Sequence, residues 1–233
     1  MTEQSSPLLA VSDLSWIPPG DDEPLWSGVS FVLRGGDRVV LEGQSGSGKS
    51  TLLRCIVALE DPAGGAVRWR GETVGEHNIR RFRNRVLYVH QSPVPIADRV
   101  GDNLAFPRQI QREFDGDADV AMSEEEQREL LDRFGLEGID RSRRFDELSV
   151  GEQQRLALVR CLSVCPDILL LDEPTASLDD ENARKVEEYL LDYVEGSPER
   201  ALVWVSHDRD QRERLGGRVV DVEQWRYDAV SRS

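Results

Sequence analysis

This sequence predicts an α/β fold with a mainly parallel sheet, N-terminal antiparallel strands and an inserted α-helical lobe. Three observations predict it. A glycine/serine loop, Gly43 to Ser47, joins a short apolar strand to a helix pattern that begins at Lys49. Two nearly continuous apolar runs, Ile168 to Leu171 and Ala201 to Val205, flank one helix-length segment, as expected of parallel strands covered on both faces. From Pro93 to Cys165 the pattern turns helical.

The elements follow in order. Leu8 to Trp16, Leu25 to Leu33 and Arg38 to Leu41 read as strands, separated by Pro18-Pro19-Gly20 and Gly35-Gly36. A helix runs from Lys49 to Leu59. Ala66 to Val74 alternates through Val67 and Trp69 and reads as one half-buried strand, and Arg85 to Gln91 as another. Ser123 and Glu126 form a capping box ahead of an apolar face of Leu130, Leu131 and Phe134, and Gly135 stops that helix. A further helix starts near Ser149, another spans Asp180 to Val194, and Arg218 to Val222 is the last strand. One domain over 1–233 is expected, with a core of about 8–91 and 166–225 and a helical subdomain of about 92–165.

Composition excludes several functions. The net charge of −15 disfavours nucleic acid or an anionic lipid surface as the main ligand, so no nucleic-acid partner is expected. Solubility explains this acidity as well as a saline cytoplasm does. No apolar run approaches the roughly 20 residues that cross a bilayer, and Met1 to Pro7 is too acidic and polar for a signal peptide. A cytoplasmic protein is expected, peripheral on the inner face of the membrane if a partner subunit recruits it. Cys55, Cys161 and Cys165 have no metal-ligand spacing and read as small packed residues.

Only Lys49 and Lys185 are lysines, and Lys49 lies inside the glycine loop. Gly43-Gln44-Ser45-Gly46-Ser47-Gly48-Lys49-Ser50, followed by Thr51, fits G-x-x-x-x-G-K-[ST] (Walker A) in full, after a strand and before a helix. Glycines let successive amides curl round phosphate oxygens, the helix N-terminus adds positive potential, Lys49 reaches the outer phosphates and Ser50 offers a hydroxyl to Mg²⁺. Ile168 to Leu171 ends in Asp172 and Glu173: the first is suited to hold Mg²⁺, the second to orient or deprotonate water. Leu148-Ser149-Val150-Gly151-Glu152-Gln153-Gln154-Arg155 reads both as a capping box, Ser149 with Glu152, and as an anion-binding helix start.

That last segment resembles the LSGGQ signature of ABC-type transporter ATP-binding subunits, and three more positions extend the resemblance over roughly residues 8–210. Gln91 is similar to the family's Q-loop glutamine, Ser177-Leu178-Asp179 to its D-loop and His207 to its switch histidine. Trp16 resembles the aromatic that stacks on adenine, though a strand-edge tryptophan is the rival reading; His77 and His90 match nothing. Tyr88 to Pro93, Asp102 to Pro107, Leu202 to Asp208 and the glutamate at 152 resemble a subgroup, the ATP-binding subunits of Fet-type iron exporters.

The resemblance implies an ATPase using ATP and Mg²⁺ on a P-loop NTPase core. It implies a homodimer in which Ser149, Gly151 and Glu152 of one copy face the phosphates held by the other, and an integral membrane permease as partner. Ser50, Gln91 and Asp172 would serve the metal, Asp179 the nucleotide, and Glu173 and His207 catalysis. Val150 departs from the family, standing where the first signature glycine is usual. Rivals are a soluble ABC-type ATPase without a transport role, a P-loop small-molecule kinase and a non-catalytic scaffold. The absence of room for a coiled coil or second cassette, the LSxGE helix, and intact Glu173 with His207 count against them in turn.

Overall fold

The computed structural model describes residues 6–114 and 121–227, apart from the side chains of 111–114. The polar start of the chain and part of the expected helical stretch therefore lie outside the described residues. The chain divides into two compact units, one drawn from Met1–Tyr88, Ile168–Asp172 and Val194–Ser233, the other from Val89–Asp167 and Glu173–Tyr193.

The first unit carries two sheets. Strands β1 (Leu9–Trp16), β2 (Trp26–Leu33), β4 (Gly64–Trp69) and β5 (Glu72–Thr73) form an antiparallel sheet in the order β2-β1-β4-β5. The second sheet has the order β6-β7-β8-β3-β9, from β6 (Val86–Val89), β7 (Ile168–Asp172), β8 (Ala201–Val205), β3 (Arg38–Glu42) and β9 (Arg218–Asp221). Strands β7, β8, β3 and β9 run parallel. Every residue of β7 and β8 is buried, which explains their unbroken apolar sequence. Leu14, Trp26, Leu33, Leu53, Leu170 and Val203 belong to one apolar core that both sheets share.

The register of this parallel sheet places the functional loops. Asp172 pairs with Val205, and Val205 with Leu41. The glycine loop after β3, the Asp172 carboxylate and the turn that carries His207 therefore leave one edge together, the carboxyl ends of the strands. Helix α1 (Lys49–Ile56) follows the loop, and α2 (Ile79–Arg85) precedes β6.

The second unit is helical: α3 (Val100–Phe114), α4 (Glu124–Arg133), α5 (Val150–Leu162) and most of α6 (Asp180–Glu195). Both predicted capping boxes are formed, Ser123 with Glu126 and Ser149 with Glu152. Helix α4 ends at the expected place, with Gly135 at φ +65°. Its Phe134 ring meets Tyr189 of α6 edge-on at 5.4 Å.

Four expectations are corrected. The helix from Lys49 stops at Ile56 instead of Leu59, because Ala58 turns left-handed at φ +54° and Leu59 N–H bonds back to the Arg54 carbonyl. The single strand Ala66–Val74 is a hairpin: Arg70 and Gly71 both take positive φ, the geometry of a tight turn between twisted strands. The strand at Arg85–Gln91 covers only Val86–Val89, so Gln91 lies two residues past it, and α2 precedes it. Helix α7 (Arg209–Leu215) was not anticipated, although Asp208 caps it by accepting from the amides of Asp210 and Gln211.

Candidate functional site

In the first unit the glycine loop takes the conformation its residues permit. Gly43, Gly46 and Gly48 have φ of +142°, +81° and +88°. A Cβ on Gly48 would lie 2.6 Å from the Trp26 Nε1 atom, so this position needs both the backbone freedom and the missing side chain. Gln44, Ser45 and Gly46 are exposed, whereas Ser47, Lys49 and Thr51 are buried. The Lys49 ammonium donates to the Gly43 and Gln44 carbonyls at 2.8 and 2.9 Å, folded over its own loop. The Gln44 amide donates to the Glu223 carboxylate at 3.0 Å.

Behind the loop lies the Asp172 carboxylate, 3% exposed. Ser50 donates to its Oδ1 at 3.0 Å and Tyr88 to its Oδ2 at 2.9 Å. Burial, and then the Asp172 charge, push the Tyr88 phenol above its ordinary range, so it remains protonated. Among the described residues, the two hydroxyls that donate to this buried carboxylate, from Ser50 and Tyr88, are neutral. A buried anion without a cationic partner is costly, and hard oxygen donors from Ser50 and Asp172 suit Mg²⁺. Among the described residues, no group of three or more His, Cys, Asp or Glu forms a separate metal cluster. Trp16 is half-buried and stacks on Trp26, with ring centroids 6.4 Å apart. His207 is exposed in the turn between β8 and α7.

In the second unit, Glu173 immediately follows β7 with φ +48°, a left-handed conformation unusual for a side-chain-bearing residue. Strain of this kind concentrates at functional positions. The Gln91 amide donates to Glu173 Oε2 at 3.0 Å, so these two predicted residues meet although 82 positions apart. At the start of α5 the Ser149 hydroxyl accepts from the Glu152 amide at 3.3 Å, and Glu152 Oε2 accepts from Ser149 N–H at 2.8 Å. That backbone hydrogen bond is the main cause that lowers the Glu152 carboxyl below its ordinary value. Arg143 lies 3.8 Å from its other oxygen.

Val150 is 58% exposed in the first helical turn, so nothing among the described residues requires glycine there. Gly151 is the tighter position, since a Cβ would lie 3.3 Å from the Ser177 carbonyl. Asp179 accepts from both the backbone and side-chain nitrogens of Asn182 at 2.9 and 2.8 Å, capping α6.

Sequence reasoning missed three contributors. Trp26 belongs to no motif in the sequence, yet its ring fills the space a Gly48 side chain would need. Glu223 reaches the loop from a 3₁₀ turn far along the chain. Tyr88 enters the sequence reading only through its resemblance to the iron-exporter subgroup, and no local signal ties it to Asp172.

A Walker A loop and a strand-end carboxylate at the carboxyl edge of a parallel sheet, with a capped signature helix in a helical unit, define an ATP-binding cassette. Residues 26–176 match the family model described as ABC transporter. The chain is 35% identical over 209 residues to the "Probable iron export ATP-binding protein FetA" of Escherichia coli (strain K12), covering 90% of this chain and 88% of that protein. It is 32% identical over 215 residues to the sulfate/thiosulfate import ATP-binding protein CysA of Brucella suis biovar 1 (strain 1330), covering 89% of this chain but 56% of that longer protein. A solved dimeric ATP-binding cassette, in a post-hydrolysis state with ADP and Pi, superposes with a TM-score of 0.77 at 27% identity, covering 91% of this chain and 93% of that one. The chain belongs to the ABC transporter family, as an ATP-binding and ATP-hydrolysing cassette. None of its described helices is long and apolar enough to cross a membrane.

Proposed function

We propose that two copies of this chain clamp two ATP·Mg²⁺ between them and that hydrolysis drives a separate membrane permease exporting a metal ion. The observation that carries the clamp is the start of α5, where Ser149 and Val150 are exposed at a helix N-terminus, the end of a helix that attracts anions. A relative of 27% identity was solved as a dimer with ADP and Pi, which supports dimerisation.

In this reading Lys49, Ser50 and Thr51, with the amides from Gly43 to Gly48, hold the triphosphate, and Trp16 stacks on adenine. Ser50, Gln91 and Asp172 serve Mg²⁺, which when bound neutralises phosphate charge. Glu173 takes the proton of the attacking water, and His207 braces the γ-phosphate. Ser149, Gly151 and Glu152 belong to the opposing copy's site, and Asp179 lines the shared interface. The 35% identity to a protein named for probable iron export supports the metal-export reading. The permease would hold it at the inner face of the cell membrane.

Glu173→Gln tests this. It keeps the shape and removes the base, and loss of a positioned acid–base group costs about 10²–10⁴-fold in rate. The variant should bind ATP and elute as a dimer with ATP and Mg²⁺ in size-exclusion chromatography. Wild-type turnover in this variant would remove Glu173 from the chemistry.

A further inference from the structure

Asp172 is the carboxylate to which the proposed function gives Mg²⁺, and its orientation is fixed from behind. Tyr88 donates to Oδ2 at 2.9 Å, while Ser50 donates to Oδ1 at 3.0 Å. A phenol has one O–H to give, and here it goes to Asp172.

The far oxygen of Asp172 is therefore held by Tyr88, and the near oxygen faces Ser50. We propose that Tyr88 is a positioning residue for Asp172, so that Oδ1 is the oxygen presented on the metal side. This rests on the reading of Asp172 given above.

The physical reason is torsional. The terminal torsion of an aspartate is broad and nearly two-fold, so an untethered carboxylate samples many orientations. Tyr88 removes that freedom before any cation arrives. The Ser50 hydroxyl, by contrast, can turn its lone pairs to a cation and give up its bond to Oδ1. Groups that orient a metal ligand typically contribute about 10–100-fold in metal affinity. Tyr88 is half-buried and its hydroxyl is neutral, so the lower end, about 10-fold, is expected here.

The test is equilibrium binding of a fluorescent ATP analogue to the full chain in the Glu173→Gln background, in EDTA and across a Mg²⁺ titration. Tyr88→Phe removes one oxygen and keeps the ring. Its affinity in EDTA should match the parent, while the Mg²⁺ concentration at half-maximal response should rise about 10-fold. An unchanged Mg²⁺ midpoint in Tyr88→Phe, or an equal loss with and without Mg²⁺, would overturn the proposal. Asp172→Asn separates the two levels. If it abolishes the Mg²⁺ response while Tyr88→Phe leaves it intact, the Tyr88 assignment alone fails. If Asp172→Asn keeps the parent midpoint, the metal role of Asp172 fails, and the Tyr88 assignment with it.

Discussion

Replacing Gly48 by alanine isolates what the phosphate loop asks of its sequence. Gly48 sits at φ +88° and ψ +19°, immediately before α1. An L-residue in left-handed backbone costs about 1–2 kcal/mol. The new methyl would also lie 2.6 and 2.9 Å from the Trp26 ring and 2.7 Å from Leu25 Cδ2. Leu25 can rotate, but Trp26 is fully buried and stacked against Trp16. Overpacking of this kind costs about 1–3 kcal/mol. The two costs together reach about 2–5 kcal/mol, a large part of the roughly 5–15 kcal/mol that holds a typical domain folded.

Gly46→Ala is the internal control. Gly46 has φ +81°, yet nothing lies within 4 Å of a Cβ there, so it carries only the backbone cost. Urea unfolding of both variants, without nucleotide, gives the difference directly, provided that their slopes agree. Gly48→Ala should be less stable than Gly46→Ala by about 1–3 kcal/mol. Equal destabilisation would refute the claim that Trp26 forms a rigid floor beneath the loop.

Two further outcomes are expected. Val150→Gly in the Glu173→Gln background should tighten the ATP-bound dimer in analytical ultracentrifugation and cost at most about 1 kcal/mol of stability; an unchanged or weakened dimer would contradict a steric penalty, and a weakened one would make Val150 an interface contact. Backbone hydrogen bonds from Ser123 and Ser149 depress the carboxyls of Glu126 and Glu152 below the usual 4.5. A depressed folded value means that stabilisation is present above the unfolded value and is lost as pH falls through the folded one. Urea midpoints should therefore drop below about pH 4, and drop less in Glu126→Gln; equal acid slopes would contradict the capping account.

The legible parts of the sequence were those with short-range chemistry. Ser123 with Glu126 and Ser149 with Glu152 each fix a helix start through neighbours three residues apart, so sequence alone sufficed. The apolar runs of β7 and β8 are buried throughout, and burial on both faces leaves no other composition. What sequence did not show depends on backbone that ordinary residues conceal. Ala58, Arg70 and Glu173 all take positive φ without glycine, which ended α1 early, split β4 from β5 and strained the residue after Asp172. The Glu223–Gln44 contact spans 179 positions and Tyr88–Asp172 spans 84, distances at which no local pattern operates. The glycine loop was legible for both reasons at once, since Gly46 and Gly48 are visible in sequence and their φ values need glycine.

The central claim is that each ATP is shared between two copies of this chain, and mixing two disabled variants tests it most directly. Lys49→Ala removes the lysine of the phosphate loop and leaves the start of α5 intact. Ser149→Arg leaves the loop intact and places a bulky cation on the exposed cap. Each variant alone should be inactive. A mixed dimer would contain one intact composite site, so mixing at high protein concentration, with subunit exchange verified, should restore ATP hydrolysis well above the two separate variants. If exchange is complete and the mixture hydrolyses no more ATP than its components, the shared-site account is wrong.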